Sequence, residues 1–138
     1  MPYPPMLVEP MREEARQLGF EEAMTAEEVE QAVSGTQGTL LILVNSVCGC
    51  AAGGARPGLQ IALSGDRRPD RLITVFAGQD LEATAKAREH FSPYQPSSPQ
   101  IALLKEGKLV FMMQRHDIEG RPPEAIAEDL RRAFAEHC

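Results

Sequence analysis

The sequence lacks the features that would direct a protein to a membrane or to nucleic acid. Its longest strongly apolar run, Leu40–Val44, has five residues, whereas a membrane-spanning helix needs about 20. Lysine and arginine form no cluster and the net charge is −6, while phosphate-rich surfaces are bound by clustered cations. The first residues also lack the cationic and apolar segments of a signal peptide. We therefore expect a cytoplasmic protein whose partners include neither nucleic acid nor a membrane.

Cysteine is scarce as well. The chain has three cysteines, Cys48, Cys50 and Cys138, and an odd number in a reducing compartment argues against a structural disulfide framework. Reactive or metal-binding thiols are the better interpretation. With 138 residues, of which 43% are hydrophobic and 25% charged, the chain has the size and composition of one globular domain spanning residues 1–138.

Short apolar runs alternate with helical patterns along the chain. Thr39–Asn45 and Leu72–Ala77 predict strands buried on both faces. Ile101–Leu104 and Leu109–Met113 predict two further strands, joined by a hairpin turn. Helices are predicted over Pro10–Leu18, over Thr25–Gly35, over Asp80–Phe91 and from Pro122–Pro123 onward. This alternation predicts an α/β fold in which helices cover a central mixed sheet, with an N-terminal helical extension.

The segment Cys50–Gly65 gives an ambiguous signal. Three glycines, Gly53, Gly54 and Gly58, disfavour a helix by about 1 kcal/mol each, and a proline in a helix interior costs about 3 kcal/mol. Propensity alone therefore predicts a loop. A helix kinked at Pro57 requires tertiary packing to override these residues.

The turn Cys48-Gly49-Cys50 follows directly on the predicted central strand. Open α/β sheets bind their ligands at the carboxyl ends of their strands. If a helix begins at or just after Cys48, its free N–H groups favour the thiolate, which is the nucleophile in disulfide exchange. Cys48 is therefore the candidate nucleophile.

The spacing of one residue has its own consequence. A disulfide between Cys48 and Cys50 closes a small ring, and we expect their Cα positions to fit relaxed disulfide geometry poorly. Gly49 has no Cβ and can relieve part of that strain. A strained disulfide is easily reduced, so a mixed disulfide between Cys48 and a small external thiol becomes a competing product.

Other interpretations of these residues stay open at this point. Cys48, Cys50 and the terminal His137–Cys138 pair supply enough ligands for a tetrahedral metal site, although their spacing is unusual for zinc. Buried, inert cysteines are the simplest alternative. Cys138 is expected to be an exposed tail cysteine, and Arg56 a solvated helix residue that could otherwise favour a thiolate.

The chain resembles the bacilliredoxin family. The resemblance is carried by Val44–Gly53 with its Cys-Gly-Cys turn, and then by Ala55–Pro57. It extends over nearly the whole chain through further matching segments: Thr74–Asp80, Glu82–Lys86, Pro96–Pro99, Arg115–Gly120 and His137–Cys138. The order of elements is similar to that of the thioredoxin fold with an extended N-terminus.

This resemblance implies a chemistry. Bacilliredoxins remove bacillithiol, a small cysteine-containing thiol, from S-bacillithiolated client proteins. Transferred to this sequence, Cys48 attacks the bacillithiol sulfur and becomes bacillithiolated itself. Cys50 or a second bacillithiol then resolves the mixed disulfide, with bacillithiol as co-substrate and no bound cofactor or metal.

The resemblance also implies a substrate groove. A cis Ser98–Pro99 bond would lie beside Cys48, where the backbone of Ser98 pairs with the incoming substrate strand and Gly49 contributes to binding. From composition alone, Pro99 would be a trans proline that starts a strand. The implied helix after Cys50 contradicts the loop that propensity predicts. An alternative within the same enzyme class is a disulfide isomerase or oxidant that acts directly on protein disulfides.

Overall fold

Five strands form one mixed sheet in the computed structural model, which describes residues 2–138. The strands are β1 (Glu21–Glu22), β2 (Thr39–Asn45), β3 (Arg71–Phe76), β4 (Gln100–Lys105) and β5 (Lys108–Met113). Their order in the sheet is β1-β3-β2-β4-β5. β3 runs parallel to β1 and β2, whereas β4 is antiparallel to both of its neighbours. The four predicted strands are confirmed, and the two-residue β1 is too short to leave a readable pattern in the sequence.

Six α-helices surround the sheet. They are α1 (Pro5–Gln17), α2 (Ala26–Gly35), α3 (Arg56–Leu63), α4 (Leu81–Arg88), α5 (Arg115–Ile118) and α6 (Pro123–His137). α1 begins five residues before the predicted start at Pro10, because Pro5 occupies its first turn and Val8 extends its buried face. The short helix α5 was not predicted. No helix within residues 2–138 has both the length and the hydropathy to span a membrane.

β2 is buried along its whole length. Leu41 and Leu43 lie in the core cluster that includes side chains of α3 and α6, whereas Ile42 and Val44 lie in the cluster that includes side chains of α2 and α4. Successive side chains of a strand point to opposite faces, so a continuous apolar run is what a strand covered on both sides requires.

The topology gathers three connections at one edge of the sheet. β2 and β3 are parallel, so the segments that follow them begin at the same edge. Val44 is registered with Gln100 in the antiparallel β2–β4 pair, which puts the residues preceding β4 at this edge too. Cys48, the turn after Phe76 and the segment Ser97–Pro99 therefore meet where the parallel strands end.

The predicted loop after Cys50 is wrong, because residues 49–63 are helical almost throughout. A π-helical turn, Ala51–Ala55, precedes α3, and Pro57 occupies the first turn of α3, where the missing N–H costs little. A Cβ on Gly58 would lie 2.7 Å from Ile126 Cγ2, and one on Gly54 would lie 3.1 Å from Ile126 Cδ1. Close packing of this helix against α6 therefore overrides the low helix propensity of its glycines.

Replacing Gly58 by alanine should destabilise the protein. The new methyl group overlaps Ile126, and overpacking of this kind costs about 1–3 kcal/mol. Gly53→Ala is the matched control, since a Cβ at Gly53 meets no atom within 4 Å; it should leave the free energy of unfolding unchanged or raise it by up to about 1 kcal/mol. Urea unfolding of both variants measures the difference, and equal midpoints would contradict the packing argument.

α1 is anchored by a buried ion pair. Arg12 Nη2 lies 2.8 Å from Asp80 Oδ1, with only 10% and 6% of the two side chains exposed. Arg12 Nη1 donates to Asp80 Oδ2 at 3.0 Å, which makes the pair bidentate. The guanidinium also lies 5.2 Å from the centre of the Phe76 ring. The hydrogen bond that Arg12 donates to Asp80 raises the pKa of Arg12, so the arginine keeps its charge in this buried position.

Removal of one partner of this pair should be costly. Arg12→Met leaves the Asp80 carboxylate buried without its cation, which typically costs about 3–5 kcal/mol. Arg71→Met is the control, because the Arg71–Glu21 pair is 38% and 61% exposed and surface pairs contribute about 0–1 kcal/mol. Chemical denaturation compares the two variants, and a small loss for Arg12→Met would show that the pair does not anchor α1.

Candidate active site

Cys48 lies at the N-terminus of the helix that follows β2. The Ala51 N–H donates to the Cys48 carbonyl oxygen at 3.0 Å, so Cys48 begins the first helical turn. The Cys50 N–H donates to Cys48 Sγ at 3.4 Å. The side chain is half-buried and still reaches the surface. The predicted location at a helix N-terminus is confirmed, and both the helix dipole and this N–H group favour negative charge on the sulfur.

Cys48 and Cys50 are joined as a disulfide in the structure. Their Cα atoms lie 5.3 Å apart, within the range of about 4.4–6.8 Å found in ordinary disulfides. The expectation that the Cα positions fit this geometry poorly is therefore wrong. Gly49 is exposed, has no positive φ, and a Cβ there would meet no atom within 4 Å. The conformation of the turn consequently does not depend on glycine.

The Ser98–Pro99 segment lies at the same edge of the sheet as the cysteine turn. Its peptide bond is cis, as the resemblance implied. Gln100, which follows Pro99, is paired with Val44 near the end of β2, so Ser98 and Pro99 lie at the edge of the sheet at which β2 leads into the cysteine turn. Pro99 is buried and Ser98 half-buried. The structure thus brings Cys48, Cys50, Gly49, Ser98 and Pro99 to one edge of the sheet.

A buried polar network supports this segment from behind. Arg88 Nη2 donates to the Ser97 carbonyl oxygen at 2.7 Å, and Arg88 Nε donates to Gln100 Oε1 at 3.1 Å. Gln100 Nε2 in turn donates to Gln114 Oε1 at 2.7 Å. Burial lowers the pKa of Arg88. The sequence did not reveal this network, although a glutamine at the start of an apolar strand is the kind of residue that needs a buried partner.

Arg56 is buried, which contradicts its predicted place as a solvated helix residue. Only 3% of its side chain is exposed. Its Nη1 donates to Asn45 Oδ1 at 2.8 Å, and its Nε donates to Glu14 Oε1 at 2.8 Å. A charged group is held in such a place only when it is paired and hydrogen-bonded, and α1 supplies the carboxylate, which a sequence pattern around Arg56 does not show.

Asn45 and Ser46 connect β2 to the cysteine turn and were also not singled out from the sequence. Asn45 Oδ1 accepts from the Ser46 N–H at 2.9 Å, and Asn45 Nδ2 donates to the Met11 carbonyl oxygen at 3.1 Å. Ser46 Oγ accepts from the Cys48 N–H at 2.9 Å. Polar residues at the end of a fully buried strand are the signal that could have identified them.

Cys138 lies at the opposite end of β2 from Cys48. Its side chain is half-buried against the core, near Thr39, the first residue of β2. A seven-residue strand spans about 20 Å, so Cys138 does not share a site with Cys48 and Cys50. Neither the expected exposed tail cysteine nor the alternative metal site is found, and residues 2–138 contain no group of three or more potential ligands.

Burial raises the pKa of the Cys138 thiol. We therefore expect Cys138 to react with iodoacetamide at neutral pH more slowly than an ordinary cysteine, whose pKa is about 8.5. Peptide mapping by mass spectrometry measures the rate, with the urea-unfolded chain as the control in which the difference disappears. Cys138→Ser should leave the reaction rate of Cys48 unchanged, and a change there would show that the two ends of β2 are coupled.

Solved structures with similar folds are thioredoxin-like. An oxidoreductase described as having a thioredoxin fold aligns over 88% of this chain and 97% of its own, with 15% identity and a TM-score of 0.65. Thioredoxin of Fasciola hepatica aligns over 86% of this chain and 100% of its own, with 18% identity and a TM-score of 0.60. At these identities the likeness shows the fold, and it confirms the predicted thioredoxin-like architecture.

Sequence comparison is more specific. The model of a family described as disulphide isomerase matches residues 3–138. A bacilliredoxin of Koribacter versatilis is 54% identical over 136 residues, which cover 99% of this chain and 94% of the relative. A bacilliredoxin of Geobacillus kaustophilus is 55% identical over 132 residues, which cover 96% and 90%.

Fold, cysteine pair and relatives together define the class: the chain is a thiol–disulfide oxidoreductase with a thioredoxin-like fold. Within that class, it belongs to the bacilliredoxin family.

Proposed function

We propose that the protein removes bacillithiol from S-bacillithiolated client proteins in the cytoplasm by thiol–disulfide exchange at Cys48. The observation that carries the proposal is the position of the Cys48 sulfur. It lies at a helix N-terminus, accepts the Cys50 N–H at 3.4 Å and lies at the same edge as Ser98 and Pro99. The family membership supports bacillithiolated proteins as the substrate class, and the site offers a thiol suited to nucleophilic attack.

In the first step the Cys48 thiolate attacks the bacillithiol sulfur of the mixed disulfide. A new S–S bond forms between Cys48 and bacillithiol while the bond to the client breaks, and the client sulfur leaves as a thiolate that takes a proton from water. Free N–H groups at the start of the helix stabilise the charge on Cys48 before the attack. No net oxidation occurs, because one disulfide replaces another.

The substrate approaches over the exposed side of the cysteine turn. Gly49 has open space above it, which leaves room for a client chain. At the same edge of the sheet, Ser98 is half-buried, and the Arg88–Gln100 network holds the adjacent Ser97. We assign Ser98 and Pro99 to the groove in which the backbone of the client pairs with that of Ser98.

In the second step a thiol releases bacillithiol from Cys48. Cys50 is supported as this resolving group by its disulfide with Cys48 and by the Cα separation of 5.3 Å. Attack by Cys50 on Cys48 Sγ forms the Cys48–Cys50 disulfide and expels bacillithiol as a thiolate. Attack by a second bacillithiol instead gives the bacillithiol disulfide and the free Cys48 thiol, without Cys50.

The experiment exposes a Cys50→Ser variant to a bacillithiolated client and weighs both proteins by mass spectrometry. The variant should gain one bacillithiol on Cys48 in step with its loss from the client, because exchange proceeds but Cys50 cannot resolve the product. Cys48→Ser is the matched control and should leave the client modified. A client that loses bacillithiol without any adduct on Cys48, or that does not react, would contradict the mechanism.

Disulfide isomerisation is a second candidate, favoured by the description of the matching family model. A thiolate at an open groove can equally attack a client disulfide, and release by that client then rearranges its pairing. Incubation with a scrambled disulfide protein, in the absence of any small thiol, separates the two. Rapid recovery of native pairing together with an inert bacillithiolated client would replace the first proposal with the second.

A further inference from the structure

Arg56 is a buried charge to which the exchange reaction assigns no role. Its side chain is 3% exposed, and its guanidinium contacts three groups from two other elements. Nε donates to Glu14 Oε1 at 2.8 Å on α1, and Nη1 donates to Asn45 Oδ1 at 2.8 Å and to the Ser46 carbonyl oxygen at 3.4 Å. A buried cation is costly, so its place directly beneath the reactive turn calls for an explanation.

A series of hydrogen bonds connects this cation to the backbone of the reactive cysteine. Asn45 Oδ1, which accepts from Arg56, also accepts from the Ser46 N–H at 2.9 Å. Ser46 Oγ accepts from the Cys48 N–H at 2.9 Å. The Arg56 contacts therefore fix the orientation of the two residues that lead into Cys48, and they fix it from the protein interior.

The charge of Arg56 is compensated from only one side. Glu14 is the carboxylate that pairs with it, and 55% of the Glu14 side chain is exposed whereas 3% of the Arg56 side chain is. Water screens an exposed charge much more strongly than a buried one. A positive potential consequently remains on the interior side, toward Asn45, Ser46 and the cysteine turn. A positive potential near a thiol favours the thiolate.

We propose that Arg56 is a positioning residue for Cys48, whose contacts with Asn45 and Ser46 hold the reactive turn and whose charge, moderated by Glu14, favours the Cys48 thiolate. The inference rests on the proposed role of Cys48 as nucleophile. It also makes α1 a functional part of the site, because Glu14 and the Met11 carbonyl oxygen, which accepts from Asn45, both belong to that helix.

Other charged groups at this edge of the sheet remain unchanged in the experiment. The polar network behind Ser97 contributes one cation, α5 contributes three ionisable groups, and the buried ion pair of α1 with the turn after β3 is internally neutral. These groups are Arg88, Arg115, His116, Asp117 and the Arg12–Asp80 pair. They set a constant background, against which a shift caused by Arg56 or Glu14 is measured.

The test is the pH dependence of Cys48 alkylation by iodoacetamide in the full-length chain carrying Cys50→Ser and Cys138→Ser. Arg56→Met should raise the midpoint of the rate profile by about one pH unit, which corresponds to roughly tenfold slower reaction below the midpoint. Arg56→Lys, which keeps the charge, should restore most of the loss. Glu14→Gln should lower the midpoint, because a glutamine oxygen still accepts from Arg56 but no longer offsets its charge.

An electrostatic and positioning role predicts midpoint shifts of opposite sign for Arg56→Met and Glu14→Gln, whereas a purely structural role does not. Glu13→Gln is the matched control, since Glu13 is a neighbouring carboxylate on α1 that bonds Arg16 and Gln17 instead, and it should leave the midpoint unchanged. Equal midpoints for all variants, or shifts of the same sign for Arg56→Met and Glu14→Gln, would overturn the inference. If Arg56→Met does not fold, Glu14→Gln decides alone: a lowered midpoint supports the inference and any other result overturns it.

Alkylation by iodoacetamide requires neither bacillithiol nor a client protein, so its outcome does not depend on the outcome of the client assay. Opposite shifts here combined with no transfer in the client assay would overturn the proposed substrate and keep the role of Arg56. Transfer of bacillithiol to Cys48 without any midpoint shift would overturn the role of Arg56 and keep the proposed substrate.

Discussion

Burial of β2 on both faces is the constraint on which the rest of the structure depends. A strand with no exposed face must end before its chain can reach solvent, and the residues that follow it are the first that can meet a substrate. Cys48 occupies that position. The helix that begins there covers one face of the same strand. The same packing therefore forms part of the core and places Cys48 at the N-terminus of a helix, where the helix dipole favours a thiolate.

The glycines after Cys50 serve both the packing of the core and the position of the reactive cysteine. Gly54 and Gly58 let the backbone of the helix approach Ile126 on α6. This approach holds the helix whose Cys50 N–H faces the Cys48 sulfur. Poor helix formers are tolerated because the buried contact outweighs their intrinsic preference. The π-helical turn Ala51–Ala55 lies between the cysteines and Arg56, and the buried guanidinium of Arg56 reaches back beneath the cysteine turn.

The N-terminal helix has a larger part in the site than its distance along the chain indicates. Arg12 fixes α1 to the turn after β3 through Asp80, while Glu14 and the Met11 carbonyl oxygen engage Arg56 and Asn45 beneath the cysteine turn. Three residues within about one turn of α1 thus reach two connections at the carboxyl end of the sheet. The N-terminal extension of this thioredoxin-like fold accordingly packs against the residues that lead to the cysteine turn.

Sequence alone determined four of the five strands, most of the helices and the reactive turn. Strands buried on both faces leave continuous apolar runs, and Cys48-Gly49-Cys50 is a local motif with local chemistry. Tertiary structure decided the helix after Cys50, the burial of Arg56, the half-buried Cys138 and the placement of Ser98–Pro99 at the same edge of the sheet as the cysteine turn. Each of these depends on groups far apart in the chain, such as Ile126 beneath Gly58 or Glu14 beside Arg56. These contacts form only when folding brings the two residues together, so neither hydrophobic periodicity nor residue propensity along the chain predicts them.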